Sequence, residues 1–272
     1  MPETTVVRAF RENNLMLFRS AMLGLPERRY PCVLMSESAT ELVRQLEHAR
    51  ALHESRAATP ELAARLDRLA AWQSRRLGAT YVDLARQPRY ANAIAFFQSD
   101  LYGPGDYSRR DADVARVVPL MARALPEALI GAVARAMELS VLSQELDRLM
   151  LAHLDPAAPL SVEVYCDAYR GLANREQRER QIGLIVEVGR ALDRHIARSW
   201  VGAALAAMRH PARAAGFGAL QSFLERGAAA FREMHGATEF LATIQVRETA
   251  LMNAIFAGER TPFAEPAPSR WP

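Results

Sequence analysis

The sequence predicts an all-α fold, a multi-helix bundle of about nine to ten helices with no significant β-sheet. Three observations carry this. Helix-start signals recur along the chain, with Ser38 and Glu41, Thr59-Pro60-Glu61, Ser108 and Asp111, and Asn174 and Gln177 each pairing a capping side chain with a helix-favouring partner. Between these signals, apolar residues return at the three- and four-residue spacing of a helix face. No segment alternates apolar and polar residues with period two over the length of a strand; Val162 to Tyr165 comes closest, and a helix accounts for it equally well.

Taken in order, a first helix is expected over residues 4–24, with Val7, Phe10, Leu17, Phe18, Ala21 and Leu25 as its apolar stripe. A loop holding Pro26, Pro31 and Cys32 follows. The helix opened by Ser38 turns Leu42, Leu46 and Ala49 inward. The one opened by Thr59 and Pro60 runs past Trp72 to about Arg86. Residues 90–102 form the next helix, closed by Gly103-Pro104-Gly105. Ser108 opens a helix to about Leu125 that Pro119 should kink or split, because proline removes a backbone donor and crowds the preceding turn. Pro126 opens a long helix to about His153, and Ser161 a shorter one through Cys166. Asn174 opens a helix reaching about Met208, with Glu187, Arg190, Arg194 and Arg198 solvated and Ile185, Val188, Leu192 and Ile196 inward. Two more helices fit residues 220–235 and 237–257. The expected organisation is a single helical domain over residues 1–258, with a weak seam near residues 155–160, and a proline-rich tail over 259–272 that is disordered or draped over the surface.

Composition narrows the function classes. The chain has 272 residues, half of them hydrophobic and 24% charged, an ordinary globular balance. Every one of the 34 basic residues is arginine. Net charge is only +3 and the two signs are interspersed, so nucleic acid is an unlikely partner. The longest uncharged stretches, such as residues 199–208, fall well short of the roughly twenty apolar residues a membrane span needs. The N-terminal residues lack a secretory pattern, and Cys32 and Cys166 match no metal or redox spacing. A cytoplasmic protein with free thiols is expected.

Standard catalytic signatures are missing: HExxH, CxxC, a phosphate-binding loop and GxSxG do not occur, and no histidine has an acidic residue three positions before it. No metal site is therefore expected, and no cofactor is indicated. The run Asn174-Arg-Glu-Gln-Arg-Glu-Arg reads as a solvated, self-paired helix face. The histidines read as structural.

One segment differs. Tyr90, Ile94, Phe97 and Leu101 form a clean helical stripe, and Asp100 is the only charge among residues 90–102. A helix apolar nearly all round is expected to be buried and central. A carboxylate in its last turn opposes the helix dipole and needs a cation, donors or a proton. Arg109 and Arg110 are the nearest cations in sequence. Asp100, Tyr102, Asp106, Tyr107, Arg109 and Arg110 are therefore either a structural clamp or the lining of a small pocket.

Phe96-Phe97-Gln98-Ser99-Asp100-Leu101-Tyr102-Gly103-Pro104 resembles the hallmark of an uncharacterised group of bacterial proteins, the FFLEELY-motif proteins. Arg110-Asp111, the helix with Pro119, Phe223-Leu224-Glu225, Phe231 and the segment from Phe240 to Ile244 are similar to that group as well. This chain reads Gln-Ser-Asp where the name has Leu-Glu-Glu, keeping an acid before Leu-Tyr. The resemblance implies a bacterial helical protein and supplies no activity or catalytic residues. The expectation is a non-enzymatic module that acts through protein contacts or self-association. Its alternative is a small-molecule or cofactor binder, and hence a candidate enzyme, with a pocket beside Asp100, Tyr102 and Arg109.

Overall fold

A computed structural model describes residues 36–101 and 107–266. These form eleven α-helices and one π-helical turn, with no strand among the described residues. The expected helix over residues 4–24, Cys32, Tyr102 and Asp106 lie outside them.

Helix α1 (Glu37–Ala58) is capped two residues before the expected position. Ser36 is its N-cap, accepting from the Ala39 N–H at 3.3 Å. Glu41 cannot close a box on Ser38 because its carboxylate is held by Arg44 and Gln45. Helix α2 (Pro60–Thr80) opens at Thr59 with proline in its first turn. It ends at Thr80 rather than near Arg86, because Tyr81 leaves helical geometry and turns its hydroxyl onto Glu248 Oε1 at 2.7 Å. A four-residue helix α3 (Val82–Ala85) follows, then α4 (Pro88–Phe96) and the π-helical turn Phe97–Leu101.

Helix α5 (Ser108–Ala124) is continuous through Pro119, not split by it. Helices α6 (Glu127–Leu151) and α7 (Val162–Gly171) follow. The Ser161 hydroxyl caps α7 through the Val164 N–H. The helix expected to reach Met208 is two helices, α8 (Arg175–Ile196) and α9 (Ser199–Ala214). Arg198 is extended at the joint, which redirects α9 against α10 (Gly218–Glu233). The sequence there carries no glycine or proline, so tertiary packing decides the break. Helix α11 (Thr238–Phe256) is reached through His235 and Gly236, both with positive φ.

Three apolar clusters hold these helices together. One joins Ala39, Leu42, Leu46 and Ala49 of α1 to Ile130, Ala134, Met137 and Val141 of α6. A second centres on Leu69, Trp72, Met150, Val162, Tyr165, Cys166 and Met252. The third joins Tyr90, Ile94 and Phe96 to Phe231, Met234, Phe240, Leu241 and Ile244. Each fully buried large side chain contributes roughly 1.5–3 kcal/mol.

The tail is docked over its described part. Phe263 sits 6.3 Å from both Trp72 and Tyr165, ring centre to ring centre. Arg260 pairs with Asp167, and Glu265 accepts from the Val162 N–H at 2.9 Å.

Candidate functional site

The segment around Asp100 is buried on one broad face, not on all sides. Tyr90, Ala93, Ile94 and Phe96 are buried, whereas Asn92, Ala95, Ser99 and Leu101 are exposed. Phe96 lies against Gly227 of α10, where an added Cβ would meet its ring at 3.0 Å, and against Phe223 at 5.3 Å between centroids.

Asp100 pairs with Arg226 of α10, not with the cations beyond the turn. Burial pushes its carboxyl up, but bonds from Arg226 and Ser99 and the charges of Arg226 and Arg110 outweigh this and hold it below its ordinary value. Arg110 instead reaches the Asp100 carbonyl at 3.3 Å and the Asp111 carboxylate at 3.0 Å. Its guanidinium lies over the rings of Tyr107 and Phe223. Arg109 is exposed. Asp100, Tyr107 and Arg110 thus come together, Arg109 points away, and Arg226 is the partner that short-range reading missed. The Asp111 carboxylate accepts from His53 Nε2 at 2.9 Å with both groups buried, which ties α5 to α1.

The neighbouring residues Phe97 and Gln98 lead elsewhere. Both line a partly open cavity of about 120 Å³. Single π turns recur at functional sites, and this one carries the chain past the cavity. Gln98 donates to the Ser74 carbonyl at 3.3 Å and accepts from the Ser74 hydroxyl through its own carbonyl at 3.1 Å. Its amide crosses Gly78, where a Cβ would stand 2.4 Å from Nε2. A side chain at that position would have to displace the Gln98 amide.

The cavity lies where the second and third clusters meet. Tyr165, Tyr169, Ile182, Met252 and Ile255 come from one, and Tyr81, Ile94 and Ile244 from the other. Helical spacing brings polar groups to the same space. Gln73 and Arg76 come from α2, Ser143 and Asp147 from α6, Arg178 and Gln181 from α8, and Glu248 from α11.

These groups are unequally satisfied. Glu248 accepts two hydrogen bonds from Arg76 and one from Tyr81. Burial, reinforced by Glu248, drives the Tyr81 hydroxyl far above its ordinary range. Asp147 accepts from Gln73 at 2.9 Å, and burial pushes its carboxyl up against the pull of Gln73, Arg178 and Arg148. Gln181 donates to Ser143 at 2.8 Å.

Arg178 is the least satisfied, although Arg76 Nε also lacks an acceptor among the described residues. Arg178 is 3% exposed and rests over the Tyr169 ring at 4.2 Å, and it donates once, to Gln181 Oε1 at 3.3 Å. Its own Nε and Nη2 have no acceptor among the described residues. The arginine-rich run was expected to be a solvated face, and for Arg175, Glu179 and Arg180 the side chains do pair at the surface. Arg178 is the correction. The signal was there: counting back from Ile185 in helical steps gives Ile182 and then Arg178, on the inward stripe.

Among the described residues, no group of three or more histidine, cysteine, aspartate or glutamate side chains could hold a metal ion. No helix among them is long and apolar enough to cross a membrane.

Fold and lining together define an all-α bundle with a partly open cavity that is mostly apolar and carries a few convergent polar groups. Residues 52–262 match the family described as Domain of unknown function (DUF8198), and the chain belongs to that family. The matched span takes in every cavity residue. Neither curated proteins nor solved structures give a match.

Proposed function

We propose that this protein binds a small molecule in the cavity between α2, α6, α8, α11 and the π-helical turn. The observation that carries this reading is Arg178, a buried guanidinium that lines the cavity with two donors unanswered by the described residues. Buried polar groups are nearly always hydrogen-bonded, and a buried charge without a partner is costly. A space of this kind, apolar with a few convergent polar groups, is the usual form of a small-molecule site. The alternative expected from the sequence is thereby favoured, with its pocket moved from the Asp100 turn to the other side of the same segment.

The bacterial FFLEELY-motif resemblance and a cytoplasmic setting belong to this reading. Action through protein contacts or self-association has weaker support: among the described residues the large exposed apolar side chains are few, Val82, Leu101, Leu149, Leu224 and Val246, and come from five different elements.

The test is a thermal-shift screen of small organic molecules on the wild type and on Ile185→Phe, which fills the cavity. Saturable stabilisation of the wild type that disappears in the variant supports the proposal. If no compound acts and the variant is simply more stable, the space is a packing void.

A further inference from the structure

We infer that the molecule taken by this cavity is a small monocarboxylate with a compact apolar body, its carboxylate held side-on by Nε and Nη2 of Arg178. This rests on the reading of the cavity as a ligand site.

The edge left open on Arg178 is the one this protein uses elsewhere for carboxylates. Arg44 holds Glu41 through Nε at 2.8 Å and Nη2 at 2.6 Å. Arg180 holds Glu138 through the same two atoms, at 3.0 Å to one oxygen and 3.0 Å to the other. Arg260 holds Asp167 likewise, with Nε on Oδ1 at 3.3 Å and Nη2 on Oδ2 at 2.6 Å. The planar fork of arginine matches a carboxylate with two parallel bonds. In Arg178, which lines the cavity, those two atoms are buried and have no acceptor among the described residues.

The surrounding charges disfavour a highly charged ligand. Arg76 and Glu248 neutralise each other. Arg178 and Asp147, in the same lining, offset each other in turn, so the site holds no surplus of positive charge for a dianion. A dianion such as inorganic phosphate fits this balance less well than a carboxylate.

Position sets the body. Arg175 contacts Asn253 and Gly189 abuts Leu241, so α8 and α11 run antiparallel. Arg178 therefore lies level with Leu251 and Met252, and Ile185 level with Ile244. The end of the cavity toward Ile185, Ile244, Ile94 and Phe97 is apolar. The volume of about 120 Å³ is somewhat below the roughly 150 Å³ of an engineered cavity that admits benzene. The body is thus limited to a few carbons or a small ring.

The probes are sodium butyrate, its neutral isostere butyramide, sodium phosphate and benzene, added to the whole protein at fixed ionic strength. Binding is read by calorimetry and melting temperature. Butyrate is expected to bind saturably, with butyramide and phosphate about tenfold weaker or more, the scale of one charge-assisted pair. Arg178→Met should abolish the butyrate response and leave any benzene response intact. If that variant does not fold, Arg178→Lys carries the test: a point charge cannot offer two parallel donors, and butyrate should weaken about tenfold.

Equal binding of butyrate and butyramide, or full butyrate affinity in Arg178→Met or Arg178→Lys, overturns the carboxylate assignment. Preference for phosphate overturns it too. If benzene or butyramide binds and is lost in Ile185→Phe, the cavity remains a ligand site for a neutral molecule. If no probe binds, both readings fall.

Discussion

Arg76 of α2 donates to both carboxylate oxygens of Glu248 on α11, at 3.1 and 3.0 Å, across 172 residues of sequence. Both side chains are largely withdrawn from solvent. Removing one partner strands the other charge, which typically costs about 3–5 kcal/mol, whereas replacing both with apolar groups is close to neutral. Arg76→Met should therefore lower the denaturation free energy by about that amount, and adding Glu248→Leu should recover much of it, less the bond to Tyr81. Urea denaturation of the two variants checks this; additive losses would mean the pair is not coupled.

The Asp100–Arg226 pair should show itself in acid. The Asp100 carboxyl is held below its ordinary value in the folded protein. Its contribution is therefore present above the unfolded value near pH 4 and is lost as pH falls through the lower folded value. Arg226 is 55% exposed, so solvent screening limits the effect to about 0.5–1 kcal/mol. Asp100→Asn should be less stable than wild type at pH 7, with the gap closing as pH falls below the unfolded carboxylate range. A gap unchanged with pH would reject the pairing as its source.

Asp147 should behave in the opposite sense. Its carboxyl is pushed up by burial, so between the unfolded and folded values the folded protein holds more protons and stability falls as pH rises. Asp147→Asn, which keeps an acceptor for Gln73, should remove that slope. An identical slope in Asp147→Asn would place the titration elsewhere.

Cys166 is buried and its thiol is pushed up to about 12 by burial. Only a thiolate attacks disulfide reagents. In a Cys32→Ser background, Cys166 should be inert to such a reagent until the protein is denatured. Rapid reaction in native buffer would mean that the second cluster opens readily.

The docked tail predicts a cost for losing Phe263. Its ring packs on Trp72 and Tyr165, and the Arg76 guanidinium lies 5.1 Å from its centre. Full truncation of a core aromatic costs about 3–5 kcal/mol; Phe263 is only partly buried, so Phe263→Ala should cost about half that by urea denaturation. No change would show that the tail rests on the core without supporting it.

Much of the fold was legible in the sequence because helices announce themselves locally. Ser161, Thr59 with Pro60, and Pro126 stand where helices begin. What was not legible was decided at long range. Tyr81 ends α2 for a bond to Glu248, and α8 stops at Ala197 because α9 packs on α10. Asp100 drew attention as a lone charge, but its partner Arg226 lies 126 residues on. Arg178 was hidden for the reverse reason: its neighbours Arg175, Glu179 and Arg180 are surface residues, and their composition masked one inward position.

The cavity's place between two apolar clusters bears on how the protein comes apart. Its walls belong to both, with Tyr169 and Met252 on one side and Ile94 and Ile244 on the other. A molecule seated there would touch helices of both clusters, and its binding energy would oppose their separation. With the proposed ligand bound, the two clusters should unfold together rather than in steps.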